Sequence, residues 1–103
     1  MRRKTVICGC GAMARGWLKA IAENEDLAAG IDVVGFVDLD IEAARALAAE
    51  YGHDAAAVGS DLDALLSQVK PEMLFDIVVP PARMAVVRTA LAHGCHVSKM
   101  VAP

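Results

Sequence analysis

The sequence predicts an α/β fold: a single domain built on a doubly wound parallel sheet with strand order 3-2-1-4-5. Three observations predict it. Short apolar runs alternate with stretches of helical periodicity along the whole chain, which argues for parallel strands joined by right-handed crossovers. The stretch Cys8-Gly9-Cys10-Gly11-Ala12-Met13-Ala14 reads G-x-G-x-x-A, between a run that reads as a strand and one that reads as a helix. A second apolar run, Val33 to Val37, ends in an acid, Asp38.

The glycine spacing has a physical use. A strand turning sharply into a helix needs a glycine at the bend, and Gly9 supplies it. A pyrophosphate must approach the backbone at the next turn position, where Gly11 has no side chain to block it. Ala14 is small enough to let the helix lie close on the strand. The amides of Cys10, Gly11, Ala12 and Met13 are expected to point at the ligand, where the helix start carries about half a positive charge. Asp38 stands where a carboxylate can accept both hydroxyls of an adenosine ribose. It lies 27 positions after Gly11, beyond the usual ~20, and a long connection from Asn24 to Asp32 accounts for the difference. Together these features predict a Rossmann-like dinucleotide-binding domain over residues 1–103.

The elements follow in order. Lys4 to Cys8 is the first strand, Met13 to about Glu23 the first helix, and Val33 to Val37 the second strand. A helix from Ile41 to Tyr51 starts at the cap Asp40 and stops at Gly52 in a left-handed conformation. Its apolar face is Ile41, Ala44, Leu47, Ala48 and Tyr51. Ala55 to Val58 is a short third strand. Ser60 caps a helix from Asp61 to about Gln68, and Lys70-Pro71-Glu72 breaks the chain after it. Met73 to Val79 is the fourth strand, apolar but for Asp76, and Pro80-Pro81 ends it. Pro81 or Ala82 opens a helix that runs to His93 and stops at Gly94. Cys95 to about Val101 is the fifth strand. The ligand crevice is expected between strands 1 and 4, where the order reverses.

Composition agrees with this. The hydrophobic fraction is 56% but aromatics are only 4%, which suits slim helices on a sheet buried on both faces. Net charge is −3 with no basic run, so nucleic-acid binding through a phosphate-neutralising patch is not expected. The three cysteines are read as reduced thiols of a cytoplasmic protein, since Cys8 and Cys10 sit about 7 Å apart on one face of an extended strand. No stretch approaches the ~20 apolar residues that cross a membrane. The start, Met1-Arg2-Arg3-Lys4, resembles a secretion signal only briefly, because its apolar stretch is short and holds two glycines. His93, Cys95, His96 and Cys10 show no metal-ligand spacing, and no metal is expected. A helix start lowers a thiol pKa, which makes Cys10 a redox candidate, but the residue is read first as supplying its backbone amide.

Taken jointly, these pieces resemble the amino-terminal domain of the glucose–fructose oxidoreductase / inositol dehydrogenase / MocA family over roughly residues 4–97. The matching residues are Gly9, Gly11 and Ala14; Val37-Asp38-Leu39-Asp40 with Ala43 to Ala48 and Tyr51-Gly52; Ser60-Asp61-Leu62 with Leu65-Leu66; Asp76 to Pro81; and Ala90-Leu91 with Gly94-Cys95-His96-Val97. The resemblance implies a nicotinamide dinucleotide as cofactor and hydride transfer to or from a sugar- or cyclitol-type hydroxyl. It implies that Val79, Pro80 and Pro81 wall the nicotinamide side of the crevice. It also implies a C-terminal substrate domain that this chain does not contain, so the domain alone is expected to bind cofactor without turnover. Its apolar surface near the fifth strand is expected to be exposed, a route to homo-oligomers. Two places depart from the family pattern. Met84 stands where a histidine is usual, and Lys99 reaches the place of the family's Glu-Lys-Pro lysine only across a gap, so no catalytic residue is assigned. NAD is expected over NADP, because a 2′-phosphate would meet Asp38 and Leu39, not an arginine, follows it. A non-catalytic dinucleotide-binding or redox-sensing module stays open as the alternative, as does a domain for another adenosine ligand such as S-adenosylmethionine or coenzyme A.

Overall fold

The computed structural model describes residues 2–78 and 80–99, without the side chains of Pro80, Ala82 and Lys99. Ten elements alternate: β1 (Arg3–Cys8), α1 (Ala12–Glu23), α2 (Glu25–Gly30), β2 (Ile31–Val37), α3 (Ile41–Glu50), β3 (Ala57–Gly59), α4 (Leu62–Val69), β4 (Met73–Asp76), α5 (Pro80–Ala92) and β5 (His96–Lys99). The five strands form one sheet in the order β3-β2-β1-β4-β5, every pairing parallel. The expected topology is therefore the observed one.

Strand alternation divides the core into two layers. Ile7, Phe36, Phe75 and Ile77 pack with Ala14, Leu18 and Ile21 of α1 and with Ala44, Leu47 and Ala48 of α3. Val6, Cys8, Val37 and Leu74 pack on the other face with Leu65 and Leu66 of α4 and with Ala90 of α5. Burial on both faces explains why the strands read as continuous apolar runs. Gly52 (φ 75°) and Gly94 (φ 74°) take the left-handed conformation after α3 and α5, as expected. Met84 and Leu91 stand exposed on α5, the helix that packs on edge strand β5.

Several boundaries differ from expectation, each for a local reason. The connection from Asn24 contains a short helix, α2, because the Asn24 side chain accepts the amides of Asp26 and Leu27 at 3.0 and 3.1 Å; β2 then begins at Ile31. Helix α4 is capped by Asp61, not Ser60: the Asp61 carboxylate accepts the Ala64 amide at 3.2 Å. Its end is a left-handed Lys70 (φ 47°). Strand β3 starts only at Ala57, because the Ala56 amide is turned back onto the His53 carbonyl at 3.0 Å. Strand β4 ends at Asp76 rather than running to Val79, because the Asp76 carboxylate takes the Val78 amide at 3.2 Å. Cys95 precedes β5, with its amide on the Ala90 carbonyl at 3.0 Å, and Val101 lies outside the described residues.

Candidate cofactor cleft

The carboxyl ends of β1 and β4 part where the strand order reverses, and a cleft of about 500 Å³ opens there. The turn after β1 forms its floor. Gly9 has φ 97°, and a side chain on it would meet the Ile77 carbonyl oxygen at 2.7 Å. Its amide donates to the Val37 carbonyl at 2.8 Å. Gly11 is different: a Cβ there would meet nothing within 4 Å. It precedes α1 as the N-cap, in extended backbone, with no side chain capping the helix and no acid in the first turn. By contrast, α2, α3 and α4 are capped by Asn24, Asp40 and Asp61. The positive end of α1 is thus not offset by a side chain of its own first turn or cap.

Asp38 stands half-buried at the rim. Its Oδ2 accepts the Cys10 amide at 2.7 Å and its Oδ1 accepts the Asp40 amide at 2.9 Å. The Cys10 amide, expected to face the ligand, is therefore already taken; Asp38 pins the turn to the end of β2. Cys10 is buried, with its thiol 3.5 Å from the Val37 carbonyl. Burial first, then the Asp38 charge and Cys8, push that thiol up to about 12. Burial, Asp76 and Asp38 do the same to Cys8, also to about 12. The redox candidate reading of Cys10 fails, because the side chain points into the core rather than at the helix end.

Gly9, Cys10, Gly11 and Asp38 share the cleft, and Ala12 and Met13 open α1 beside it. Val79, one of the expected wall residues, lies outside the described residues. Pro80 and Pro81 open α5, but Pro81 is exposed and does not line the cleft. Among the described residues the wall on that side is made by Ile77, Val78, Ala85 and Val86. Ser60 and Leu62 close the side beneath β3. Sequence reasoning missed these lining residues, and it missed the buried pair of Asp76 with Arg83, at 2.9 Å. Met84 is 64% exposed. His93 bonds Asp63 at 2.7 Å, and among the described residues no group of three or more potential ligands could hold a metal.

A larger groove of about 700 Å³ lies at the opposite end of the sheet, among Arg2, Lys4, Asp32, His53 and Gln68. Gly52, Gln68 and Val69 bring the ends of α3 and α4 to it rather than a helix start, and in folds of this class ligands sit at the carboxyl ends of the strands. No described helix is long and apolar enough to cross a membrane.

Comparison with known proteins adds the following. The profile of a family described as "Oxidoreductase family, NAD-binding Rossmann fold" (Gfo/Idh/MocA) matches residues 3–98. A curated relative, 4-hydroxy-tetrahydrodipicolinate reductase of Dehalococcoides mccartyi, is 35% identical over 91 residues, covering 87% of this chain and 33% of the relative. The chain thus spans about a third of the curated relatives it matches. The structure of myo-inositol dehydrogenase from Lactobacillus casei, in complex with NAD(H) and myo-inositol, is 27% identical, with TM-score 0.80 over 94% of this chain and 27% of that one. A 3-ketoreductase from Actinomadura kijaniata, in complex with TDP-benzene and NADP, shares the fold at 15% identity, with TM-score 0.77 over 94% of this chain and 29% of its own.

Proposed function

The chain belongs to the oxidoreductase family with an NAD-binding Rossmann fold, and from that premise we propose that its cleft binds NAD and supplies the cofactor half of a hydride transfer. One observation carries the reading: among α1 to α4 only α1 lacks a capping side chain, and its start lies on Gly11, above which there is open space. The pyrophosphate would take the amides of Gly11, Ala12 and Met13. Asp38, with one oxygen on the Cys10 amide and the other on the Asp40 amide, would present its remaining lone pairs to the adenosine ribose. Ile77 and Val78 would wall the nicotinamide side. The cofactor brings the hydride chemistry; the protein brings orientation and exclusion of water.

Asp38 also sets the choice of cofactor. A 2′-phosphate about 4 Å from a carboxylate is repelled by ~4 kcal/mol per charge pair at an effective dielectric of 20. Asp38 is half-exposed, so salt screens part of this, and NAD is expected to bind about tenfold tighter than NADP. Isothermal titration with NAD, NADH and NADP tests the reading on the parent and on Gly11→Val. The variant should fold with an unchanged melting temperature, since the added side chain enters open space, yet lose dinucleotide binding. A parent that binds none of the three, or a variant that binds as the parent does, would refute it.

For the substrate, a sugar- or cyclitol-type hydroxyl is the first reading, supported by the 27% identity to the inositol dehydrogenase. A second reading, a reductase of the kind the curated relatives are named for, is favoured by their higher identity, 35% and 33%. Assays on the full product of the source gene separate them: NADH oxidation with 4-hydroxy-tetrahydrodipicolinate against NAD reduction with myo-inositol.

A further inference from the structure

We propose that Asp76 and Arg83 are a positioning pair that holds the β4–α5 wall of the cleft in place and so sets affinity for the half of the dinucleotide lying against it. The proposal rests on the reading that the cleft takes a dinucleotide.

Asp76 is the one charged residue among the buried residues described, with 0% of its side chain exposed against 24% for Arg83. It follows Leu74 on the strand face that packs against α4 and α5, where an apolar residue would continue the core. Replacing a buried ion pair by well-packed apolar residues is often neutral or stabilising. Core energetics therefore do not explain the pair; its geometry does. Asp76 Oδ1 accepts the Val78 amide at 3.2 Å, and Oδ2 accepts Arg83 Nε at 2.9 Å. Arg83 Nη2 donates to the Val78 carbonyl at 3.2 Å. One side chain from the first turn of α5 thus holds both the strand end and the loop that leaves it.

That loop is the cleft wall. Ile77 and Val78 line the cavity. The Ile77 amide donates to the Cys8 carbonyl at 2.8 Å, and its own carbonyl sits where a side chain on Gly9 would be. Asp76 does not line the cleft and has no exposed surface, so it cannot touch a ligand; it acts through Val78. Asp38 fixes the adenosine half beside β2, so the wall beyond β4 faces the other half of an extended dinucleotide.

The test compares NAD with ADP, which fills the adenosine half alone. Titrations use the parent, Arg83→Gln, Arg83→Lys, and the double variant Asp76→Leu with Arg83→Leu. The double variant removes both charges together and is expected to fold even if Arg83→Gln, which strands a buried carboxylate, does not. In the double variant NAD affinity should fall about tenfold while ADP affinity changes less than about twofold, and Arg83→Lys should recover part of the loss. Without nucleotide, the Ile77 and Val78 amides should exchange hydrogen faster in the double variant than in the parent. Equal loss for NAD and ADP, no loss for either, or unchanged exchange would overturn the proposal. A parent that binds neither nucleotide overturns the dinucleotide reading instead, and the exchange result then judges the pair by itself.

Discussion

Gly9 and Gly11 stand two positions apart and answer to different forces. Gly9 is bound by the fold: its φ of 97° is one that side chains resist, and the Ile77 carbonyl fills the space a Cβ needs. The peptide that carries this oxygen is held, because its Val78 amide is bonded to the Asp76 carboxylate. Gly9→Ala should therefore cost ~3 kcal/mol or more, adding backbone strain to a clash. Urea denaturation measures it, and a loss below ~1 kcal/mol would contradict this account of the turn. Gly11 has ordinary backbone and open space, so the fold does not require a glycine there; only an approaching ligand would. The G-x-G pattern and the separate tasks of its glycines are legible in the sequence; the Ile77 carbonyl that closes the space at Gly9 is not, because it depends on where the chain runs just past the end of β4. The same holds for Asp38. Its place at a strand end is readable, whereas its bond to the Cys10 amide joins two segments 28 residues apart.

Elements are legible where periodicity is long and caps are unambiguous. Helix α3 has both: an apolar face that buries Ala44, Leu47 and Ala48 and the cap Asp40, which accepts the Glu42 and Ala43 amides at 3.1 and 3.3 Å. Helix α2 has a capping residue, Asn24, but its six residues bury none, so no periodicity marks it. At α4 two neighbours, Ser60 and Asp61, are both good caps, and sequence alone does not choose between them. The structure chooses Asp61. Asp61→Ala should thus destabilise the protein by ~1 kcal/mol, and Ser60→Ala by no more than a few tenths. Denaturant midpoints decide it: the reverse order would place the helix start one residue earlier. The Asp76–Arg83 pair is the least legible feature. Its partners lie on different elements, and their meeting depends on the path of the loop between them, which no periodicity encodes.

At the scale of the whole molecule, the carboxyl edge of the sheet gathers charge. Asp38 follows β2 and Asp76 ends β4 there, on either side of β1, whose end carries Cys8, with Cys10 just beyond it. Burial, with Asp76 and Asp38 at Cys8 and with Asp38 and Cys8 at Cys10, pushes both thiols from their usual 9.0 up to about 12; burial raises Cys95 as well. At the other end of the sheet, burial and Arg2 lower His53 from 6.5. The signs follow by linkage. A thiol with a raised pKa keeps its proton in the folded state while the unfolded chain loses it, so its stabilisation is complete below about pH 9 and is lost towards pH 12. Histidine with a lowered pKa works oppositely, and its stabilisation is lost as pH falls below about 6.5. Stability should therefore be level, as far as these groups decide it, between roughly pH 6.5 and 9. Above that, each of Cys8 and Cys10 should remove on the order of 1.4 kcal/mol per pH unit. Other groups titrate in the alkaline range too, so the readout is a difference in slope. Urea unfolding of the parent and of a Cys8→Ala, Cys10→Ala double variant, measured from pH 8 to 11, isolates it. The variant starts lower, because it leaves space in the core, but its stability should fall less steeply with pH. Parallel curves would mean that the thiols titrate normally, and hence that the end of β1 is open to water and the turn above it is not the closed floor on which the cleft depends.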